Sequence, residues 1–309
     1  MKRVILSLAV LAFVSSIASA EIPKNKGNLR YSITVSTFKN KAGWSGQWSI
    51  GDGFTTILTD ALQQSGWFIV LGDKEMRVEA MKEQDFAASG RAAGGKKAPK
   101  IGRMTPAQLL VKGEITHVQS STTGGKGRFS FKGISLGGSK DSAEVNITMY
   151  VVDSETGQVV SSSKLVGKSG RKGLSVGYHG SKLGGLRGDL AGFKKDNVGK
   201  ACEDAVGQGL EFLVQQLADI PWEGSVMLAK GDKIIMNRGS REGVAADARF
   251  TIGEIEELVD EDTGEVLDSE MTIIATAKAA KVKEKISYLT PLTGGDKIKK
   301  GMSVFAAQE

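Results

Sequence analysis

The hydrophobic period of this chain changes once, at Ile220-Pro221-Trp222, and that change limits the fold more than any other feature. Before it, strand-like alternation is interleaved with apolar stripes at helical spacing. After it, short strand patterns are separated by Lys230-Gly231-Asp232, Arg238 to Gly243, Asp260 to Glu265 and Gly294-Gly295-Asp296. That spacing suggests a small all-β barrel. The expected class is α+β, with units at 1–20, 21–221 and 222–309.

Within the first region, Tyr31 to Phe38 reads as a strand, because Tyr31, Ile33 and Val35 alternate with Ser32, Thr34 and Ser36. A loop from Lys39 to Gly51 leads to an amphipathic helix bearing Phe54, Ile57, Leu58, Ala61 and Leu62, with Asp52 as N-cap and Gly66 as its terminator. Trp67 to Leu71 is a continuous apolar run, expected as a buried strand. Asp73 caps a second helix carrying Met76, Ala80 and Met81, running to about Gln84. Ala87 to Arg103, rich in Ala, Gly and Lys, is expected to be mobile, and Thr105-Pro106 to open a short helix. Leu109 to Val118 is expected as a strand. Ala143 to Val151 alternates clearly, turns through Asp153 to Gly157 and returns over Gln158 to Val166. Asn197 to Leu217 is expected to be helical, burying Ala201, Ala205, Leu210, Leu213 and Leu217. Val152 to Val159 echoes Val259 to Val266, which two similar hairpin turns explain without a duplicated domain.

The first twenty residues have the parts of a secretory signal. Met1-Lys2-Arg3 is basic, Val4 to Val14 is apolar, and Ala18-Ser19-Ala20 supplies small residues before Glu21. The apolar run is shorter than the ~20 residues of a spanning helix. Cleavage after Ala20 leaves Glu21 first, so no cysteine is placed for lipoprotein acylation. No later segment is long and apolar enough for a transmembrane helix, so only closed β structure could cross a membrane. The lone Cys202 excludes an intramolecular disulfide and reads as a small core residue. The formal charge is +6, and Lys2 and Arg3 leave with the signal. The modest remainder, on an exported chain, argues against nucleic acid as a partner.

No catalytic set stands out. His117 and His179 lack ligand-spaced neighbours, so neither a metal site nor a histidine-based nucleophile pair is expected, and no cofactor is implied. Asp260, Glu261, Asp262, Glu265 and Asp268 look like a calcium loop, but Gly264 falls at position 5 of it, where such a loop needs glycine at 6. The glycine-lysine clusters Gly94 to Lys97 and Gly124 to Gly127 lie outside any strand–phosphate loop–helix frame.

Three local series stand in order: Thr55-Thr56-Ile57-Leu58-Thr59-Asp60-Ala61-Leu62 followed by Ser65-Gly66-Trp67-Phe68, then Leu110-Val111-Lys112-Gly113-Glu114-Ile115, then Val145-Asn146-Ile147 leading to Val151-Val152-Asp153 and Thr156-Gly157. Through them the order of parts from Ile33 to Leu217 resembles the curli production assembly/transport family, the CsgG-type outer-membrane secretion channel. The resemblance implies an N-terminal α/β domain with a mixed sheet and long β-hairpins, in a homo-oligomeric ring in the outer membrane that carries secreted or surface polypeptide. It implies no enzyme. The loop after the first strand would form the pore constriction. Here that loop is Asn40 to Gly51, with Trp44, Ser45, Gln47 and Trp48 as constriction candidates; the alternative for the tryptophans is packing against the domain's own helices.

Two hairpins per subunit would map to roughly Val118–Val145 and Val160–Lys194. Their candidate lipid-facing residues are Phe129, Phe131, Ile134 and Leu136 in the first, and Leu174, Val176 and Tyr178 in the second. Phe129 and Phe131 are out of register with Ile134 and Leu136, so a bulge near Gly133 must join them. Arg171, Lys172 and Lys182 must sit at the rims or face the lumen, because lysine on a midplane lipid face costs about 2–4 kcal/mol. The family's well-known members are acylated at the residue that is Glu21 here. The tail from Trp222 to Phe305 is similar to the small β-barrel of the flagellar assembly protein T family, through Asn237 to Val244. The second reading is a soluble periplasmic scaffold or binding protein for envelope or flagellar assembly, built on the same α/β domain.

Overall fold

Strand β1 (Tyr31–Val35) is the centre of the first domain, and it is buried along its whole length. Its apolar residues face one side of the sheet. Its polar ones are buried on the other side and hydrogen-bonded: Ser32 Oγ donates to the Pro106 carbonyl at 2.9 Å and Thr34 Oγ1 to the Gly72 carbonyl at 2.9 Å. In this computed structural model, the residues described are 29–46, 48–95, 98–121, 142–170, 196–217, 222–231, 233–264 and 266–307. The signal segment, Gln47, Phe129, Phe131, Ile134, Leu136, Leu174, Val176, Tyr178 and His179 lie outside them.

The sheet is mixed, as expected, with the order β3 (Phe68–Val70), β1, β4 (Leu109–Ser121), β5 (Ser142–Asp153) and β6 (Val159–Lys168). The short β2 (Lys39–Asn40) also pairs with β4. Pairing is parallel for β1 with β3 and β4, and antiparallel from β4 through β6. Helices α1 (Ile50–Ser65) and α3 (Asn197–Gln216) cover one face of this sheet and touch each other. Ala143, Val145, Ile147, Met149 and Val151 of β5 all point into that core. Cys202 is buried there too, and burial pushes its thiol pKa up.

Strand β6 ends the sheet, and α3 satisfies its open edge. Gln208 accepts from the Val166 N–H at 3.2 Å and donates to the Val166 carbonyl at 2.9 Å, while Asp204 accepts from the Lys168 N–H at 3.0 Å. The helix comes so close that a Cβ on Gly167 would run into the Ala201 carbonyl.

Several local expectations change. Helix α1 starts two residues before Asp52, because Ser49 is the N-cap and accepts from the Asp52 N–H at 3.4 Å. Gly66 ends it in the left-handed region, as expected. Asp73 caps α2 (Lys74–Ala88) by accepting from the Met76 N–H at 2.9 Å, but this helix outruns Gln84 and buries none of its residues. Thr105-Pro106 opens no helix. The stretch is tied to β1 instead: the Gln108 side chain accepts from the Ser32 N–H at 3.0 Å and the Gln108 N–H donates to Ser32 Oγ at 3.0 Å. Part of the hairpins mapped over Val118–Val145 and Val160–Lys194 is sheet strand of this domain, since β4 and β5 pair out to Ser121 and Ser142 and β6 takes Val159–Lys168.

The second domain is a closed six-strand barrel. Its order is β10 (Val266–Val282), β11 (Ser287–Thr293), β8 (Lys233–Met236), β7 (Glu223–Lys230), β12 (Ser303–Ala306) and β9 (Arg249–Val259). Trp222, Phe250, Ile252, Met236, Leu289 and Val304 fill it. The turn from Gly239 to Val244 meets the first domain. The Arg30 N–H donates to the Glu242 carbonyl at 2.8 Å, and the Arg241 guanidinium donates to Thr105 Oγ1 at 3.2 Å.

Candidate functional site

The loop after β1 is fastened at both ends. On its way in, the Phe38 N–H donates to Thr55 Oγ1 at 3.0 Å and the Lys41 N–H to the Ile115 carbonyl at 2.9 Å. On its way out, Ser49 caps α1. Between these points Asn40 Nδ2 donates to the Trp44 carbonyl at 2.7 Å, closing the loop on itself.

The four constriction candidates take different positions. Trp48 is buried against the domain core, and its Nε1 donates to Asp196 Oδ2 at 3.3 Å. Asp196 also caps α3, accepting from the Val198 N–H at 3.2 Å, so one carboxylate joins the loop to the last helix. Trp44 is half-buried and lies on Trp48, with ring centroids 4.6 Å apart. Ser45 is exposed; Gln47 lies outside the described residues. In the single chain, therefore, Trp48 supports Trp44, which is packed against the core with part of its surface open, and Ser45 is exposed. Asp196 was not singled out from sequence, because the contact joins residues 148 positions apart.

The loop shares its end of the sheet with the strand ends that border residues 122–141 and 171–195. Strand β2 lies beside Glu114 and Ile115, and β4 continues from there to Ser121. At that end β4 leaves at Ser121, β5 returns at Ser142, and β6 leaves near Lys168, which pairs with Glu144. The chain re-enters the described fold at Asp196, the partner of Trp48.

Among the described residues no group of three or more His, Cys, Asp or Glu side chains is placed to hold a metal. Asp260 is used by its own turn: its Oδ1 accepts from the Asp262 N–H at 2.8 Å and the Thr263 N–H at 3.2 Å. Among the described residues no helix is long and apolar enough to cross a membrane, which says nothing of a β-barrel.

Comparison with known proteins gives distant solved structures and one family. Among solved structures, the chain is similar to the PelC dodecamer from Paraburkholderia phytofirmans at 12% identity and a TM-score of 0.30, covering 59% of this chain and 86% of that one. It is also similar to protein XCC0632 from Xanthomonas campestris at 12% identity and a TM-score of 0.33, covering 66% and 97%. Lipoprotein GNA1162 from Neisseria meningitidis matches at 15% identity and a TM-score of 0.24, covering 62% and 99%. Scores this low carry no argument. No curated protein matches. The matches lend no support to the flagellar resemblance of the barrel. The sequence model described as curli production assembly/transport component CsgG matches residues 14–232, the whole first domain and the start of the barrel. The chain belongs to the curli production assembly/transport component CsgG family.

Proposed function

We propose that this chain is a subunit of a ring-forming, outer-membrane-associated export component for extracellular or surface polypeptides, and not an enzyme. The family supports an envelope secretion or assembly component of the CsgG type. The observation that carries the finer reading is topological. The excursions 122–141 and 171–195 leave from one end of the sheet, beside the loop that presents Trp44 and Ser45. They contain 20 and 25 residues. A membrane hairpin needs two strands of about 9–11 residues each, so either excursion is long enough for one. In this reading the excursions build a shared barrel and Trp44 and Ser45 contribute to the collar beneath it. Trp48 and Asp196 hold that collar in place. Extended cargo would be gripped by stacking and hydrogen bonding, with no bond chemistry.

The experiment is membrane fractionation of the mature protein, followed by the mass of the detergent-extracted particle and its conductance in a planar bilayer. A multi-subunit, conducting particle that requires detergent is expected. A monomer that stays soluble without detergent would overturn the channel and favour the periplasmic scaffold. Trp44→Ala is expected to change conductance at little cost in stability. Trp48→Ala is expected to cost about 3–5 kcal/mol through the cavity it leaves.

A further inference from the structure

We propose that the outer part of the β9–β10 hairpin is a docking arm that seats against α2 and the basic segment after it on a neighbouring copy of this chain. The inference rests on the oligomeric reading above.

The arm is what remains when the barrel has used its strands. Strand β12 pairs with β9 only from Phe250 to Gly253, and β11 pairs with β10 only from Thr276 to Val282. From Glu254 to Val259 and from Val266 to Ile273 the two strands, among the described residues, have no strand partner but each other. The register sorts their side chains onto two faces. Ile255 opposes Met271 and Val259 opposes Val266, with Ile273 on the same side; Glu256 opposes Glu270 and Leu258 opposes Asp268 on the other. Leu258, Val259, Val266, Leu267 and Ile273 are exposed. Glutamates directly opposite each other weaken a strand pair. Residues 254–270 contain nine acidic residues and no lysine or arginine. Among the described residues the arm's ion pair is Glu254 with Lys299, at 4.0 Å.

The complementary surface is on the first domain. Helix α2 buries nothing, and Met76, Val78, Met81 and Phe86 are exposed along it. Residues 91–103 contain five basic residues and no acidic one. Arg91, Lys100 and Arg103 are exposed, as is Ile101 between them. Both surfaces thus present apolar side chains beside charge. Helix α2 itself is mixed, with Glu75, Glu79, Glu83 and Asp85 against Lys74, Arg77 and Lys82, so the charge opposite to the arm comes from residues 91–103. Arm against arm would face nine acids with nine more, which excludes a two-fold pairing through the arms. Arm against α2 joins two different surfaces of one chain, a head-to-tail contact of the kind from which a ring is built when its rotation closes.

The test uses the mature full-length chain. Leu258→Cys is made in one preparation and Met81→Cys in another; Cys202 is buried and does not compete. After mixing and assembly, a thiol cross-linker is expected to join the two variants in pairs, and neither variant with itself. Separately, Glu256→Lys with Glu270→Lys keeps a like-charge pair across the arm, so the cost to folding is matched. It is expected to raise the concentration needed for assembly at least tenfold. Arg91→Glu with Lys100→Glu and Arg103→Glu, made on the otherwise unaltered chain, is expected to raise it by a similar factor. Particles of unchanged mass from the arm variant, with no cross-link between variants, would overturn the arm and leave the ring standing. A wild-type chain that stays monomeric would overturn both.

Discussion

The β5–β6 and β9–β10 hairpins turn in the same way, and their surroundings treat them in opposite ways. In each an aspartate opens the turn and its carboxylate accepts two backbone N–H groups: Glu155 and Thr156 on Asp153 at 2.9 and 2.8 Å, Asp262 and Thr263 on Asp260 at 2.8 and 3.2 Å. Each ends on a glycine at φ 73°, Gly157 or Gly264, whose N–H returns to the aspartate carbonyl. Beyond the turn they diverge. Strand β5 lies between two neighbours under α3, while among the described residues the outer β9 and β10 have no strand partner but each other. The turn is therefore set by a few adjacent residues, and burial by what the rest of the chain brings to the strands.

Single truncations should separate these two levels most sharply. Ile147 of β5 is fully buried, so Ile147→Ala is expected to cost about 2–5 kcal/mol. Leu258→Ala on the arm is expected to stay within about 0.5 kcal/mol. Chemical denaturation of each variant, followed by a probe in each domain, measures the difference. Equal losses would mean that the arm is covered in the monomer.

Alkaline pH should act on the sheet side of the comparison. Burial pushes the Tyr31 hydroxyl up to about 12, from its usual value near 10. The folded state therefore holds this proton more tightly. Its contribution to stability is complete below pH ~10 and is lost as pH rises toward ~12. At about 1.4 kcal/mol per unit the loss is about 2–3 kcal/mol. Tyr31→Phe is expected to flatten the profile over that window, in denaturation curves taken across it. Close behind in size, Gly167→Ala is expected to cost about 1–3 kcal/mol, since the added carbon must push α3 from β6.

What could be read from the sequence divides along the same line. The alternation of β5, the caps at Asp73 and Gly66 and both aspartate turns are local patterns, and each stands where its residues place it. Ser49 took the cap expected of Asp52 because both are good capping residues and only the loop's path decides between them. Met76, Ala80 and Met81 give the second helix apolar residues, but apolar residues on a helix do not show that the chain covers them, and α2 buries none of its residues. The Thr105-Pro106 stretch carried a helix-start signal that Ser32 and Gln108 outbid through bonds between distant strands. In the candidate site, the loop was legible and its division of labour was not. The step from Trp48 to Asp196 crosses the whole domain in sequence.

The smallest expected effect tests the shared turn itself. Gly157 and Gly264 occupy the left-handed region with open space where a Cβ would go, so replacing either with alanine introduces backbone strain and no clash. That strain is about 1–2 kcal/mol and depends only on local conformation. Gly157→Ala and Gly264→Ala are therefore expected to cost nearly the same, although one turn follows a buried strand and the other tips an exposed arm. The costs are read by different routes. Gly157→Ala shifts the global unfolding midpoint of the first domain. Gly264→Ala appears mainly as faster amide hydrogen exchange in the arm, because the free-standing strands can open without the barrel. Exchange in the arm that proceeds only through global unfolding would show that hairpin and barrel are one cooperative unit.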